Sequence, residues 1–127
     1  MNKKHIASVI CILLTLTLLS ACGTSSAKSN FPTGTFASES VPFKTEWKDD
    51  GTYTCWMEGQ AITSGTYSVK GNELTYKTDS YCDSLGAGEA TYAWTFKDDT
   101  LTFKVKGEDK CSDRLGTLHQ VSYHKEQ

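Results

Sequence analysis

The sequence predicts an all-β domain, a small eight-stranded antiparallel up-and-down barrel that follows an N-terminal signal segment. Three observations support this fold class. Apolar and polar residues alternate with period two over much of the chain, short polar turns separate the alternating runs, and no segment sustains a helical period. Closing an up-and-down sheet on itself removes its two exposed edges, so we expect a barrel. A two-sheet sandwich is the alternative, because strand count alone does not distinguish the two architectures.

The N-terminus resembles a bacterial lipoprotein signal peptide. Met1–His5 is basic, Ile6–Leu19 is an apolar run broken only by Ser and Thr, and Leu19–Cys22 is similar to a lipobox. The run is short for a membrane span and ends in small residues, which favours a cleaved signal over an uncleaved anchor helix. We therefore predict a signal peptide over residues 1–21 and lipidation of Cys22.

Charge and lipidation together suggest where the protein resides. Removal of residues 1–21 leaves 11 basic and 15 acidic residues, a net charge of −4. Such a mildly acidic chain argues against nucleic acid as a partner. The N-terminal diacylglycerol and further acyl chains, palmitate among them, would hold Cys22 at a cell membrane or outer membrane, with the protein facing outside the cytoplasm. Residues 22–30 predict a flexible tether, and residues 31–124 predict the barrel domain.

Turn chemistry and strand phase predict the register of three hairpins. Pairing Trp47 with Tyr53 requires a three-residue loop in which Gly51 is left-handed, whereas a two-residue turn would send one apolar set to the wrong face. Turns at 71–72 and 98–99 would join the other two hairpins. The predicted pairs there are Tyr67 with Tyr76, Val69 with Leu74, the exposed ion pair Lys70 with Glu73, Tyr92 with Val105, Trp94 with Phe103, and Phe96 with Leu101.

The complete set of predicted strands follows from the same alternation. Their approximate ranges are 35–38, 41–47, 53–58, 65–70, 73–78, 91–97, 100–106 and 117–123. The side chains predicted to face inward are Phe43, Trp47, Tyr53, Met57, Tyr67, Val69, Leu74, Tyr76, Tyr92, Trp94, Phe96, Leu101, Phe103 and Val105.

The interior of such a barrel is either filled by side chains or holds one small ligand. The many tyrosines favour a cavity, because a core used only for packing would be built more simply from Phe and Leu. A solid core is the alternative. The residues predicted to contact a ligand are Trp47, Tyr53, Tyr67, Tyr76, Tyr92, Trp94 and Phe103.

The folded domain contains three cysteines, which allow three single disulfides. Cys82 and Cys111 lie before and after the 91–106 hairpin and leave its same end, so they can meet. We predict a Cys82–Cys111 disulfide and a buried free thiol at Cys55. We expect no metal site and no cofactor, because no C-x-x-C occurs and His119 and His124 have no ligand partner at useful spacing.

The order of short motifs resembles the lipocalin-like domains of small bacterial secreted proteins and lipoproteins, within the calycin barrels. These motifs are G-T-Y, a hairpin, Y-x-W-x-F, L-T-F and C-x-x-R, and the resemblance covers residues 31–123. In lipocalins a Gly-x-Trp on the first strand packs under an Arg near the last strand. Here Gly34-Thr35-Phe36 and Arg114 occupy the matching positions. The resemblance therefore implies that Phe36 and Arg114 close one end of the barrel, with a cation–π contact weakened by the replacement of Trp. It also implies a small apolar ligand.

No nucleophile motif, phosphate-binding loop or metal triad occurs, so we expect no enzyme. Asp49-Asp50 and Asp98-Asp99 are explained as turn residues. The alternative function is a protein-binding module, since Tyr53–Gly59 is similar to a short piece of the C-type membrane-bound lysozyme inhibitors. Outward-facing Trp56 would mark a partner surface or lie under a loop. An envelope lipoprotein with a structural role and no ligand is a third hypothesis.

Overall fold

The computed structural model describes residues 29–127, which form a closed barrel of eight antiparallel strands. Every strand pairs with the next along the chain, and the last pairs with the first, which confirms the predicted barrel. The predicted signal peptide, the lipidation site Cys22 and most of the tether lie outside the described residues. The strands are β1 Gly34–Ser38, β2 Phe43–Trp47, β3 Thr52–Met57, β4 Gln60–Lys70, β5 Glu73–Asp79, β6 Ala90–Lys97, β7 Thr100–Lys106 and β8 Ser122–Lys125.

The three predicted hairpin registers are confirmed. Trp47 lies opposite Tyr53, Tyr67 opposite Tyr76, and Trp94 opposite Phe103. Gly51 has φ 84°, as the three-residue loop requires. Asp98 and Asp99 have φ 53° and 58°, the backbone of a two-residue turn that matches the twist of its strands.

Beside the 71–72 turn, Glu73 forms an ion pair with a different lysine from the predicted one. Lys70 and Glu73 are opposite each other in the register. Glu73, however, makes its ion pair with Lys106. Strand β6 separates β5 from β7, so this ion pair spans β6, where Glu73 lies opposite Ala93 and Lys106 lies opposite Thr91.

The predicted strand over 117–123 is wrong in its start and its end. A short helix, α2 Ser112–Leu118, occupies the connection between β7 and β8, and β8 begins only at Ser122. A second short helix, α1 Ser80–Ser84, follows β5. Helices of one or two turns are too short to show a helical period, and Gly116 weakens the sequence signal for α2 further. None of the helices in residues 29–127 is long and apolar enough to cross a membrane.

The two ends of the barrel differ. One, which we call the turn end, carries the short turns at 48–51, 71–72 and 98–99. Phe31 fills it from inside, with its ring centroid 5.7 Å from that of Trp47 and 5.2 Å from that of Trp94. The opposite end, which we call the helical end, is covered by α1 and α2.

Period-two alternation predicts most of the side chains in the interior but not where the interior ends along each strand. Met57 and Phe96, predicted to face inward, are 39% and 38% exposed because they lie at strand ends. Thr45 and Tyr123 are buried although they are outside the predicted inward set. Tyr123 lies on β8, within the range predicted for the last strand.

Candidate functional site

A cavity of about 330 Å³ lies inside the helical end of the barrel. Its walls come from strands β2 to β5 and from both helices. The apolar part of the lining consists of Phe43, Cys55, Met57, Ile62, Tyr76, Cys82 and Leu118. The polar part consists of Thr45, Tyr53, Thr63, Asp79, Tyr81, Asp113, Arg114 and Thr117.

Side-chain size explains why this end is hollow. Midway along β2 and β3 the inward positions carry the small residues Thr45 and Cys55, which lie opposite each other with Oγ1 and Sγ 3.4 Å apart. At the turn end the corresponding pair is Trp47 and Tyr53. Small side chains leave the volume that aromatic ones fill at the other end. Burial raises the pKa of the Cys55 thiol to about 12, so this wall of the cavity is uncharged.

Asp79 places a carboxylate in the floor under α1. Its side chain caps the helix by accepting from the backbone N–H groups of Tyr81 and Cys82, at 3.1 and 2.9 Å. It also accepts from the hydroxyls of Tyr53, at 2.5 Å, and Thr63, at 2.7 Å. Burial and the bond to Asp79 raise the pKa of Tyr53 far above its ordinary value. All these polar atoms are therefore already engaged with one another.

Arg114 projects from α2 and forms a buried ion pair with Asp109. Its Nε and Nη2 donate to the two carboxylate oxygens, each at 2.8 Å, and Nη2 also donates to the carbonyl of Gly88 at 2.9 Å. The hydroxyl of Tyr92 and the N–H of Cys111 complete the partners of Asp109. Although burial opposes its charge, the pKa of Asp109 is lowered by these donors. Asp109 likewise raises the pKa of Arg114 against the effect of burial.

The aromatic partner of Arg114 is not the predicted one. The guanidinium carbon lies 5.7 Å from the ring centroid of Tyr76. Phe36 packs instead against Trp47 and Phe96. The reason is topological: α2 covers the helical end, whereas β1 enters the barrel at the turn end. Arg114 thus lies on α2 at the helical end of the barrel, and Phe36 is not in contact with it.

The predicted cysteine pair holds the two helices together. Cys82 of α1 and Cys111, directly before α2, lie at disulfide distance, with Cα atoms 5.6 Å apart. Cys82 also forms part of the cavity wall. The pair therefore fixes the cover of the cavity as one unit. Cys55 is a buried free thiol, as predicted.

The residues predicted to contact a ligand separate into two groups. Tyr53 and Tyr76 line the cavity. The others are packed in the aromatic core, away from the cavity lining, because the turn end is solid. These core residues are Trp47, Tyr67, Tyr92, Trp94 and Phe103.

Several residues of the cavity lining are not among those predicted to contact a ligand, because they belong to the two helices or are polar. Asp79 could have been found from its position before Ser80-Tyr81, since Asp is a strongly preferred helix-capping residue. Leu118 lies on α2, where the sequence predicts a strand. Trp56 is half-buried and lies beside the loop that contains Val41 and Pro42, so it shares a surface groove with that loop.

Comparison of the chain with protein-family models, curated proteins and solved structures finds no match. The architecture, a closed eight-stranded antiparallel barrel, is compatible with a lipocalin-like fold.

Proposed function

We propose that this protein is a lipid-anchored extracytoplasmic lipoprotein whose barrel binds a small apolar ligand at its helical end. The cavity carries the proposal: a space of about 330 Å³, partly open to solvent, lies between strands and helices. That volume is typical of small-molecule sites, and so is a lining whose accessible surface is mostly apolar even though polar residues contribute to it. We propose binding and not catalysis as its role.

Two features support the orientation that we propose for the anchored protein. The lipobox-like residues Leu19–Cys22 would place the lipid before the tether. Phe31, where the described chain enters the barrel, is buried at the turn end. A short tether leaving from that end would direct the helical end, and the mouth of the cavity, away from the lipid surface. The ligand would then arrive from the aqueous side.

Binding is tested with the uncharged fluorescent probe N-phenyl-1-naphthylamine and the purified protein. We expect its emission to rise and shift to the blue as it enters the cavity. Cys55→Phe should remove most of this signal, because the larger ring occupies the cavity beside Thr45. Thr54→Phe adds the same ring to the neighbouring residue on the opposite face of β3, so it should leave binding unchanged. No signal from the native protein, or equal loss in both variants, contradicts the proposal.

Anchoring is tested separately in bacterial cells that express the full chain. We expect an alkyne-tagged palmitate analogue to label the protein and the label to fractionate with membranes. Cys22→Ser should abolish both labelling and membrane fractionation, since its hydroxyl cannot form the thioether that carries diacylglycerol. Cys11→Ser, in the segment predicted to be removed, is the matched control and should have no effect. Undiminished labelling of the Cys22→Ser chain would refute the anchor.

A further inference from the structure

We infer that the cavity selects ligands that carry an uncharged hydrogen-bond acceptor, such as a carbonyl oxygen, and that Nη1 of Arg114 is the group that recognises it. This inference rests on the proposed function and names the ligand chemistry of the same site. It depends on Nη1, a buried atom of the lining residue Arg114 whose hydrogen-bonding capacity is unused.

The guanidinium of Arg114 is deeply buried and only partly satisfied. Its side chain is 4% exposed. Nε and Nη2 donate to Asp109, and Nη2 also donates to Gly88. No group within residues 29–127 accepts a hydrogen bond from Nη1. Since a buried donor without an acceptor is costly, a ligand that supplies an oxygen there gains affinity.

Several other polar groups of the lining already have partners within the protein. The hydroxyls of Tyr53 and Thr63 donate to Asp79, and the hydroxyl of Thr117 donates to the carbonyl of Arg114. Two further buried donors without a partner in the described part of the chain belong to the indoles of Trp47 and Trp94, which do not line the cavity. Among the unpaired buried donors of this region, Arg114 Nη1 is thus the one whose side chain borders the cavity.

The charges around the cavity favour a neutral ligand over a carboxylate. The positive charge of Arg114 is matched by Asp109, which binds it through both oxygens. Asp79 and Asp113 also line the cavity, and both are acidic. A carboxylate ligand would therefore meet an excess of negative charge, whereas a ketone, ester or amide oxygen would meet only the donor.

Three matched naphthalenes test this selectivity with the purified protein. These are 2-acetylnaphthalene, which carries a neutral acceptor, 2-ethylnaphthalene, which carries none, and 2-naphthoate, which carries a charged one. We expect the ketone to bind about tenfold more tightly than the hydrocarbon, and the carboxylate most weakly. Arg114→Lys keeps a cation opposite Asp109 but removes Nη1, so it should bring the ketone and the hydrocarbon to within about twofold.

A second readout does not depend on that variant folding. Arg114 is the only arginine in the sequence, so ¹⁵N-labelled arginine reports on this side chain alone. We expect the Nη1 resonance of the native protein to shift when the ketone binds and to stay in place when the hydrocarbon binds.

The outcomes separate this inference from the proposed function. Equal affinity for ketone and hydrocarbon, with no Nη1 shift, overturns the role of Arg114 but leaves an apolar binding site. If 2-naphthoate binds most tightly, the inference that the ligand carries an uncharged acceptor is wrong. A ketone preference that Arg114→Lys leaves intact also overturns the role of Arg114. If none of the three binds, the proposed function itself fails.

Discussion

The carboxylate of Asp109 receives four hydrogen bonds while its side chain is completely buried. Two of these come from Arg114, in the bidentate geometry that suits a guanidinium and a carboxylate. A buried ion pair of this kind adds little over apolar packing, but removal of one partner leaves the other charge uncompensated. The pair therefore acts as a constraint that keeps α2 over the cavity.

This constraint predicts the effect of Asp109→Asn. We expect the free energy of unfolding to fall by about 3 to 5 kcal/mol, because Arg114 remains charged and buried without its counter-charge. Urea denaturation followed by tryptophan fluorescence measures the change.

Asp113→Asn is the matched control for that substitution. Asp113 lies on the same helix but is exposed, and within the described residues 29–127 its side chain accepts one hydrogen bond, from the hydroxyl of Tyr81. Its loss should cost under about 1 kcal/mol. Similar losses in the two variants would show that the buried ion pair has no special role.

At the scale of the element, two glycines differ in whether their surroundings leave room for a side chain. In β4, a Cβ added to Gly65 would lie 1.9 Å from the carbonyl oxygen of Thr78 on β5. A register irregularity follows directly, between Thr66 and Tyr67. In α2, a Cβ added to Gly116 meets no atom within 4 Å. The first glycine permits a close approach of two strands beside Asp79, whereas the second only weakens a helix.

The two alanine variants should therefore change stability in opposite directions. Gly65→Ala should destabilise the protein by about 1 to 3 kcal/mol, because the added methyl group forces β4 away from β5. Gly116→Ala should stabilise it by about 0.5 to 1 kcal/mol through helix propensity. Thermal unfolding of both proteins in one buffer provides the comparison. A gain in stability for Gly65→Ala would mean that β4 and β5 separate easily at this point.

The sequence predicts the strand pairings well, because the alternation of apolar and polar residues determines them. The pairs Trp47 with Tyr53 and Trp94 with Phe103 follow from period-two alternation and from turns that only certain residues allow. The helices are different, because α1 depends on a single capping residue and α2 on tertiary packing of Leu118. The cavity lies between these two kinds of element, so of the residues predicted to contact a ligand only Tyr53 and Tyr76 line it.

At the scale of the whole molecule, the barrel combines a solid half with a hollow half. Phe31 and the aromatic residues around Trp47 fill the turn end, and the network of ring contacts continues through Phe103 to Tyr123. The helical end lacks such filling and depends on its cover. The cover consists of α1 and α2, and the chain joins each helix to a strand on both sides. The two helices are also linked to each other through Cys82 and Cys111. The packed aromatic core and the cavity therefore lie at different ends of one sheet.

The cysteine pair should consequently stabilise the whole fold and the cover in particular. The two cysteines are separated by 29 positions in sequence, and closing a loop of that length contributes about 3 to 4 kcal/mol in the chain-entropy treatment. Replacing both cysteines with alanine should lower the free energy of unfolding by that amount. It should also speed backbone hydrogen exchange in α1 and α2 more than in β6 and β7, which are held by their own ladder. Mass spectrometry of exchanged peptides resolves these segments, and a uniform increase over helices and strands would show that the covalent link does not act locally on the cover.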